Sequence, residues 1–209
     1  MKRLVRAAYV GLWSAWFRWG RGLVSRLVDL IRPKSKTPLP RFASLEAFAR
    51  WWRANTRWRS DPLFGVLDIM PSVGYAQWCF ETKGRFEEDC DGLAYIACHY
   101  LTRVPNVRDI YLVTLAYDPI VVLSRQGRAS WAERLSNIAH VICVFRQHDR
   151  WGVVSNTDVY LPRWSSFGEA VTQNPACAGQ PILWYEVREL TLRRVLARRV
   201  THPQNIGLA

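Results

Sequence analysis

The sequence lacks a long apolar run. In its N-terminal part the longest stretch without a charged residue is the eleven residues from Ala7 to Phe17, whereas a membrane-spanning helix needs about 20. The basic residues before this stretch are typical of a signal peptide, but no small-x-small cleavage site follows them and tryptophan is frequent. We therefore expect neither a membrane span nor an export signal.

The cysteines also lack a pairing pattern. The chain has five cysteines, an odd number, and no Cys-x-x-Cys pair, and three of them lie in apolar runs, where reduced buried thiols are common. Tetrahedral zinc spacing is absent as well. We therefore expect no disulfide framework, no metal and no other cofactor, in a reducing and hence cytoplasmic location.

Acidic residues are scarce in the first 60 residues, which contain 14 Lys and Arg but only two acids, Asp29 and Glu46. Residues 61–209 contain 15 basic and 15 acidic residues, so the net charge of +12 belongs entirely to the N-terminal part. All but four of the basic residues are Arg, whose planar guanidinium suits bidentate contacts with phosphate and carboxylate.

Residues 1–31 have the pattern of one basic, tryptophan-rich amphipathic helix, which Gly20 and Gly22 are candidates to interrupt. For its role we rank an anionic membrane surface or a partner protein first, and packing on the chain's own domain second. Nucleic acid ranks third, because Trp13, Trp16 and the other aromatics mostly share the apolar helix face instead of alternating with Arg. A Pro- and Lys-rich linker at 32–40 then leads to a single domain at 41–209.

Helical patterns come first in that domain and strand patterns later, which predicts an α+β fold with an antiparallel sheet. The predicted elements are helices at 44–55, capped by Ser44, at 90–103 and around 131–135; strands at 110–117, 141–145, 151–154 and 182–187, with 120–123 continuing or pairing with the first of them; and a helix opened by the capping box Ser166 to Glu169.

Three polar residues stand at the boundaries of these elements. Cys90 opens the second helix, His140 opens the run before the predicted hairpin, and Asn156 follows the strand that begins at Trp151. A helix N-terminus and an imidazole both favour the thiolate that attacks a carbonyl. A third side chain must hold the imidazole in its reactive tautomer, and the amide oxygen of Asn156 is suited to accept its distal N–H.

The run Glu88-Asp89-Cys90-Asp91-Gly92-Leu93-Ala94 resembles the motif Gly-Asp-Cys-(Asp/Glu)-(Asp/Gly)-x-Ala of the transglutaminase-like cysteine peptidase superfamily, with Glu88 in place of the glycine. His140 and Trp151 match that family's histidine and the aromatic residue of the next strand. The resemblance covers residues 44–160 in motif order. It implies a papain-like fold, in which a helix bearing the catalytic cysteine packs on an antiparallel sheet.

The resemblance implies that the third catalytic residue lies at the end of the strand that begins at Trp151. Asn156 matches this position, Asp158 is the alternative, and Ser155 falls there if the strand carries no bulge. Upstream, Asn55, Trp58 and the pair Asp61-Pro62 are similar to the Asn…Tyr-x-x-Asp stretch of bacterial and phage members.

Each of these residues also has an ordinary structural interpretation. Cys90 suits a half-buried core position, His140 a strand edge, and Asn156 a turn. Four acids surround Cys90 in sequence (Glu87, Glu88, Asp89 and Asp91), and carboxylates raise the pKa of a nearby thiol unless they cap the helix or pair with Arg85 and other arginines.

The sequence therefore predicts a thiol-dependent acyl-transfer enzyme, a peptidase or amidase with Cys90, His140 and Asn156 as its triad and a peptide or amide as its substrate. The alternative is a catalytically silent assembly protein of a virus particle or membrane complex, anchored by residues 1–31. A fold alone does not decide between them.

Overall fold

The computed structural model describes residues 2–15, 21–60, 69–125, 138–200 and 206–208. In these ranges the chain forms seven helices and eight strands, a mixed α+β fold, as the sequence predicts. In chain order they are α1 (Lys2–Ala15), α2 (Arg21–Ile31), α3 (Leu45–Asn55), β1 (Thr56–Trp58), α4 (Val73–Lys83), β2 (Phe86–Glu88), α5 (Cys90–Leu101), β3 (Val107–Tyr117), α6 (Pro119–Arg125), β4 (Ala139–Gln147), β5 (Arg150–Ser155), β6 (Asp158–Trp164), α7 (Phe167–Gln173), β7 (Ile182–Arg188) and β8 (Arg194–Arg199).

Six of the strands form one sheet in the order β6-β5-β4-β3-β7-β8, and every neighbouring pair in it is antiparallel. The predicted hairpin is present as β4 and β5. The short strands β1 and β2 pair separately and in parallel. The antiparallel sheet is confirmed, and one of its two central strands, β4, carries His140.

Both faces of this sheet are buried, and each face has its own apolar cluster. On one face Leu112, Cys143 and Val154 pack with α3, α4 and α5. On the other face Ile142 and Val153 pack with residues of α7. Because side chains alternate along a strand, membership of a cluster shows which way each strand residue points.

Helix α5 runs alongside β4 in the same direction. A short turn after α5 leads into β3, which runs back along the helix, and β4 is antiparallel to β3. The N-terminus of α5 therefore lies at the end of the sheet where β3 finishes and β4 begins. This arrangement brings Cys90 and His140 to the same end of the sheet.

Several helix starts are set by side chains, as predicted. The hydroxyl of Ser44 accepts the backbone N–H of Ala47 (3.2 Å) at the start of α3. At the start of α7 the hydroxyl of Ser166 accepts the backbone N–H of Glu169 (3.2 Å). These caps satisfy donors that the first turn of a helix leaves unpaired.

Two predicted elements differ in the structure, and one observed helix was not predicted. Residues 120–123 form part of α6 and not a strand, because the carboxylate of Asp118 accepts the backbone N–H of Ile120 (3.1 Å) and Pro119 suits a first helical turn. The single helix predicted over 1–31 is described as two helices, α1 and α2. Helix α4 is not among the predicted elements. The helix predicted around 131–135 lies outside the described residues.

The predicted linker does not stand away from the domain. The backbone N–H of Ser35 donates to the carbonyl of Gly74 (2.9 Å), and its hydroxyl donates to Glu81 (2.9 Å) on α4. Lys34 pairs with Asp29 of α2 at 2.6 Å. The part of the linker at Lys34 and Ser35 therefore packs against α2 and α4.

Strand β8, which the sequence presents only as a basic stretch, forms one edge of the sheet. Its outward residues include three arginines, Arg194, Arg198 and Arg199, and Val195, which is 43% exposed. The other edge, β6, exposes 41% of Leu161.

Candidate active site

Cys90 is the first residue of α5 and is half-buried against the cluster that covers this helix. The other four cysteines are buried. Burial raises the pKa of the thiols of Cys79, Cys143 and Cys177. Cys90 is therefore the thiol that solvent reaches most readily.

The acids around Cys90 are used to cap the helix and to bind arginine. Asp89 is the N-cap residue, and its carboxylate accepts the backbone N–H groups of Asp91 and Gly92, both at 3.2 Å. Glu87 pairs with Arg85 at 2.8 Å. Glu88 lies 3.8 Å from Arg32. Each of these three carboxylates thus caps the helix or pairs with an arginine, which weakens its effect on the pKa of a nearby thiol.

Gly92 in the cysteine motif is required by close packing. A Cβ at this position would lie 3.0 Å from the Cβ of Glu88 and 3.2 Å from Pro71. The glycine therefore allows the loop before α4 and the end of β2 to approach the first turn of α5. That approach fixes the helix start that carries Cys90.

His140 is the second residue of β4 and stands directly opposite Leu115 of β3. Leu115 belongs to the cluster on the α7 side of the sheet, so His140 points to that side as well. Burial lowers the pKa of His140 to about 4. At neutral pH the imidazole is therefore uncharged and able to accept a proton.

The hydrogen-bond partner of His140 is Ser155 and not Asn156. The Nε2 atom of His140 lies 2.8 Å from the Oγ atom of Ser155, the last residue of β5. Strands β4 and β5 pair without a bulge, which is the condition under which Ser155 takes the third position. Ser155 has 3% of its surface exposed.

Asn156 instead begins the turn between β5 and β6. Its φ angle is 52°, in the left-handed region that asparagine tolerates better than most residues. Its backbone carbonyl accepts the indole N–H of Trp52 (3.0 Å), while its buried side-chain oxygen has no hydrogen-bond partner within the described ranges. The predicted contact between Asn156 and the imidazole is thus replaced by that of Ser155.

Asp158, the predicted alternative, is also turned away from His140. It is exposed at the start of β6 and lies 3.6 Å from Arg53 of α3. A side chain one to three residues beyond the end of β5 has left the strand, and its direction follows the turn instead of the sheet.

Tyr117 links the surroundings of Cys90 and His140. Its backbone N–H donates to the carbonyl of Ile138 (2.9 Å), two residues before His140. Burial and Cys177 raise the pKa of Tyr117, and a negative charge at Cys90 raises it further. Cys90 therefore lies within electrostatic range of the end of β3, next to the beginning of β4.

Cys90 and His140 nevertheless belong to different faces of the sheet. Helix α5 packs on the face formed by Val141 and Cys143, whereas His140 shares the opposite face with Ile142. A contact between the Cys90 thiol and the His140 imidazole therefore has to be made beyond the end of the sheet, because the two residues lie on opposite faces of it.

A cavity of about 480 Å³ lies beside α5, on the face of the sheet that this helix covers. Leu112 and Thr114 of β3 form part of its wall, together with Tyr95 of α5 and residues of α2. Neither Cys90 nor His140 is among its lining residues.

Among the residues that the structure covers, no group of three or more His, Cys, Asp or Glu is arranged to hold a metal ion. No helix in the same part of the chain is long and apolar enough to cross a membrane.

Comparison of the chain with models of known protein families gives no match, and comparison with curated proteins gives none either.

Proposed function

We propose that this chain is a thiol-dependent acyl-transfer enzyme acting on a peptide or related amide, with Cys90 as nucleophile, His140 as general base and acid, and Ser155 as the positioning residue. The hydrogen bond between His140 and Ser155 carries the proposal. It holds the imidazole at the end of the sheet where Cys90 begins α5. The fold would then be a papain-like variant of the transglutaminase-like kind, working in a reducing compartment.

The hydroxyl of Ser155 can accept from Nε2 of His140 or donate to it, and the proposal requires the tautomer in which Nε2 donates. With Nε2 donating its proton to Ser155 Oγ, the Nδ1 atom is the nitrogen left to accept a proton from the thiol. The ring is uncharged at neutral pH because burial lowers its pKa to about 4. Proton transfer therefore accompanies attack, and no resting ion pair is needed.

The reaction would run in two stages. The sulfur of Cys90 attacks the carbonyl carbon while Nδ1 of His140 takes the thiol proton, and the imidazolium then gives that proton to the leaving amine. In the second stage His140 removes a proton from water as the water attacks the thioester, and the imidazolium returns that proton to the sulfur of Cys90 as the acid is released. The positive end of α5 stabilises negative charge on the sulfur in both stages.

An activated ester tests this assignment without knowledge of the natural substrate. With p-nitrophenyl acetate we expect a burst of p-nitrophenol equal to the protein concentration, and an acetyl group on the peptide that contains Cys90. Cys90→Ala should abolish the burst, and Ser155→Ala should slow acylation by about tenfold or more. Asn156→Gly is the matched control and should leave the acylation rate unchanged.

The second candidate function is a catalytically silent assembly protein, and one observation favours it. His140 points to the face of the sheet opposite to α5. In that case Cys90 should react with iodoacetamide as an ordinary thiol, with an apparent pKa of about 8.5 or higher. The enzyme instead requires general-base assistance, so His140→Gln should slow acylation of Cys90 at neutral pH by about a hundredfold or more. An acylation rate that His140→Gln does not change would overturn the enzyme proposal.

A further inference from the structure

Helix α1 presents an uncharged face to solvent. Leu4 is 75% exposed and Leu12 is 72% exposed, although a leucine on a surface helix usually faces the core. The residues that share this face at steps of three and four are also exposed and carry no charge. They are Ala8, Gly11 and Ala15.

The opposite side of α1 is attached to the sheet. The hydroxyl of Tyr9 donates to the carbonyl of Ile138 (2.6 Å), and Val10 is buried against Trp184. Arg6 forms an ion pair with Asp118. Helix α1 therefore directs an arginine toward the domain and two leucines toward solvent. A helix that packed on the domain through its leucines would have the opposite orientation.

Helix α2 shows the same arrangement. The hydroxyl of Ser25 accepts the backbone N–H of Met70 (2.9 Å), and Asp29 pairs with Lys34. Outward, three residues at steps of three and one are among the most exposed large apolar residues that the structure describes. These are Leu27, 58% exposed, Leu30, 78% exposed, and Ile31, 84% exposed.

The charge around these faces is positive. Lys2 and Arg3 on α1 and Arg26 on α2 are exposed. The only acids in the first 60 residues are Asp29, which is paired with Lys34, and Glu46 of α3. An apolar strip flanked by cations complements a surface with an apolar interior and anionic headgroups.

We propose that α1 and α2 bind the surface of an anionic bilayer, lying in its plane with the outward leucines and Ile31 among the acyl chains and the cations at the lipid headgroups. This mode needs no span, and no described helix is long enough for one. The proposal is independent of the acyl-transfer chemistry. It commits to lipid in preference to a partner protein because the strips are uncharged and the net charge of residues 1–60 is +12.

Sedimentation of the full chain with vesicles tests the proposal. We expect binding to vesicles that contain phosphatidylglycerol, weaker binding to pure phosphatidylcholine, and a further decrease as salt is added. The double variants Leu4→Glu/Leu12→Glu and Leu27→Glu/Leu30→Glu should each lower partitioning by about tenfold or more.

The matched control introduces the same two charges at exposed apolar residues elsewhere on the surface. Leu161→Glu/Val195→Glu alters exposed apolar residues of the sheet edges and should bind as the unmodified chain does. Replacing Lys2, Arg3 and Arg26 by Gln should weaken binding by about fivefold per charge. Urea unfolding of each variant confirms that it remains folded.

Three results would overturn the proposal. They are sedimentation with neither kind of vesicle, equal binding to both kinds, and glutamate variants of α1 and α2 that bind like the control. If the chain bound nucleic acid or a protein but no vesicles, the exposed faces of α1 and α2 would be binding sites for that class of partner instead.

Discussion

Helices α5 and α1 pack on the same sheet but direct their apolar residues oppositely. In α5, Leu93 and Ala97 are fully buried against the sheet. In α1, Leu4 and Leu12 are among the most exposed side chains, and a tyrosine hydroxyl and an arginine make contact with the rest of the domain. The period of apolar residues predicts both helices, but it does not show which face of a helix meets the core.

The largest expected difference comes from truncating one leucine in each helix. Leu93→Ala removes a fully buried side chain and should lower the free energy of unfolding by about 2–5 kcal/mol. Leu12→Ala, on the exposed face of α1, should change it by no more than about 0.5 kcal/mol. Urea unfolding followed by circular dichroism measures both, and equal losses would refute the contrast between the helices.

Lowering the pH should decrease the free energy of unfolding, because His140 lies at the end of the sheet where β4 begins. Burial lowers the pKa of His140 from its ordinary value of 6.5 to about 4. Between these pH values the unfolded chain takes up a proton that the folded chain does not, so stability is complete above about 6.5 and falls as the pH drops. The loss is at most on the order of 3 kcal/mol.

Urea unfolding at several pH values isolates the contribution of His140. His140→Gln should flatten the decrease between neutral pH and about pH 4, whereas His148→Gln, in the exposed hairpin turn, should leave it unchanged. Burial also lowers the pKa of His99, so part of the decrease should persist until that residue is replaced too. A His140→Gln variant as acid-sensitive as the unmodified chain would contradict the neutral, buried ring.

A smaller effect separates two adjacent residues, Ser155 and Asn156. Because Asn156 has a φ of 52°, Asn156→Ala should lower the free energy of unfolding by about 1–2 kcal/mol. Asn156→Gly should recover most of that loss. If Asn156→Ala slowed acylation of Cys90 as much as Ser155→Ala, the assignment of Ser155 as the positioning residue would fail.

The smallest expected effect concerns the attachment of α1. Tyr9→Phe removes the hydroxyl that binds the carbonyl of Ile138, and it should cost about 1 kcal/mol of stability. Hydrogen exchange of α1 amides should rise in this variant while exchange in α5 stays constant. Unchanged exchange in α1 would show that apolar contacts such as that of Val10 hold the helix by themselves.

Helix starts and the central strands could be predicted from the sequence because their signals are local. Ser44, Asp89 and Ser166 each accept backbone N–H groups of the turn that follows them. Strands β3 and β4 are apolar on both faces, so their segments stand out without knowledge of their partners.

The third site residue could not be predicted because it depends on register. Side chains on a strand change face with every residue, so a difference of one position between Ser155 and Asn156 changes the group that meets His140. The family pattern alone leaves three positions open, and only the unbroken pairing of β4 with β5 selects among them.

Helix α6 and strand β8, at the border of the sheet, could not be predicted for a different reason. Val121 and Val122 suit a strand by composition, but the polar cap at Asp118 starts α6 at that point. Strand β8 is rich in arginine because its outer surface faces water, and its apolar alternation is correspondingly weak.

The arginines of β8 also oppose edge-to-edge association between copies of this chain. The outermost strand of an open sheet is a template onto which a second identical strand can add. Two such strands brought side by side would juxtapose Arg194, Arg198 and Arg199 from each copy, and the mutual repulsion opposes fibre-like stacking. The same side chains that raise the isoelectric point thus protect the open sheet from growing.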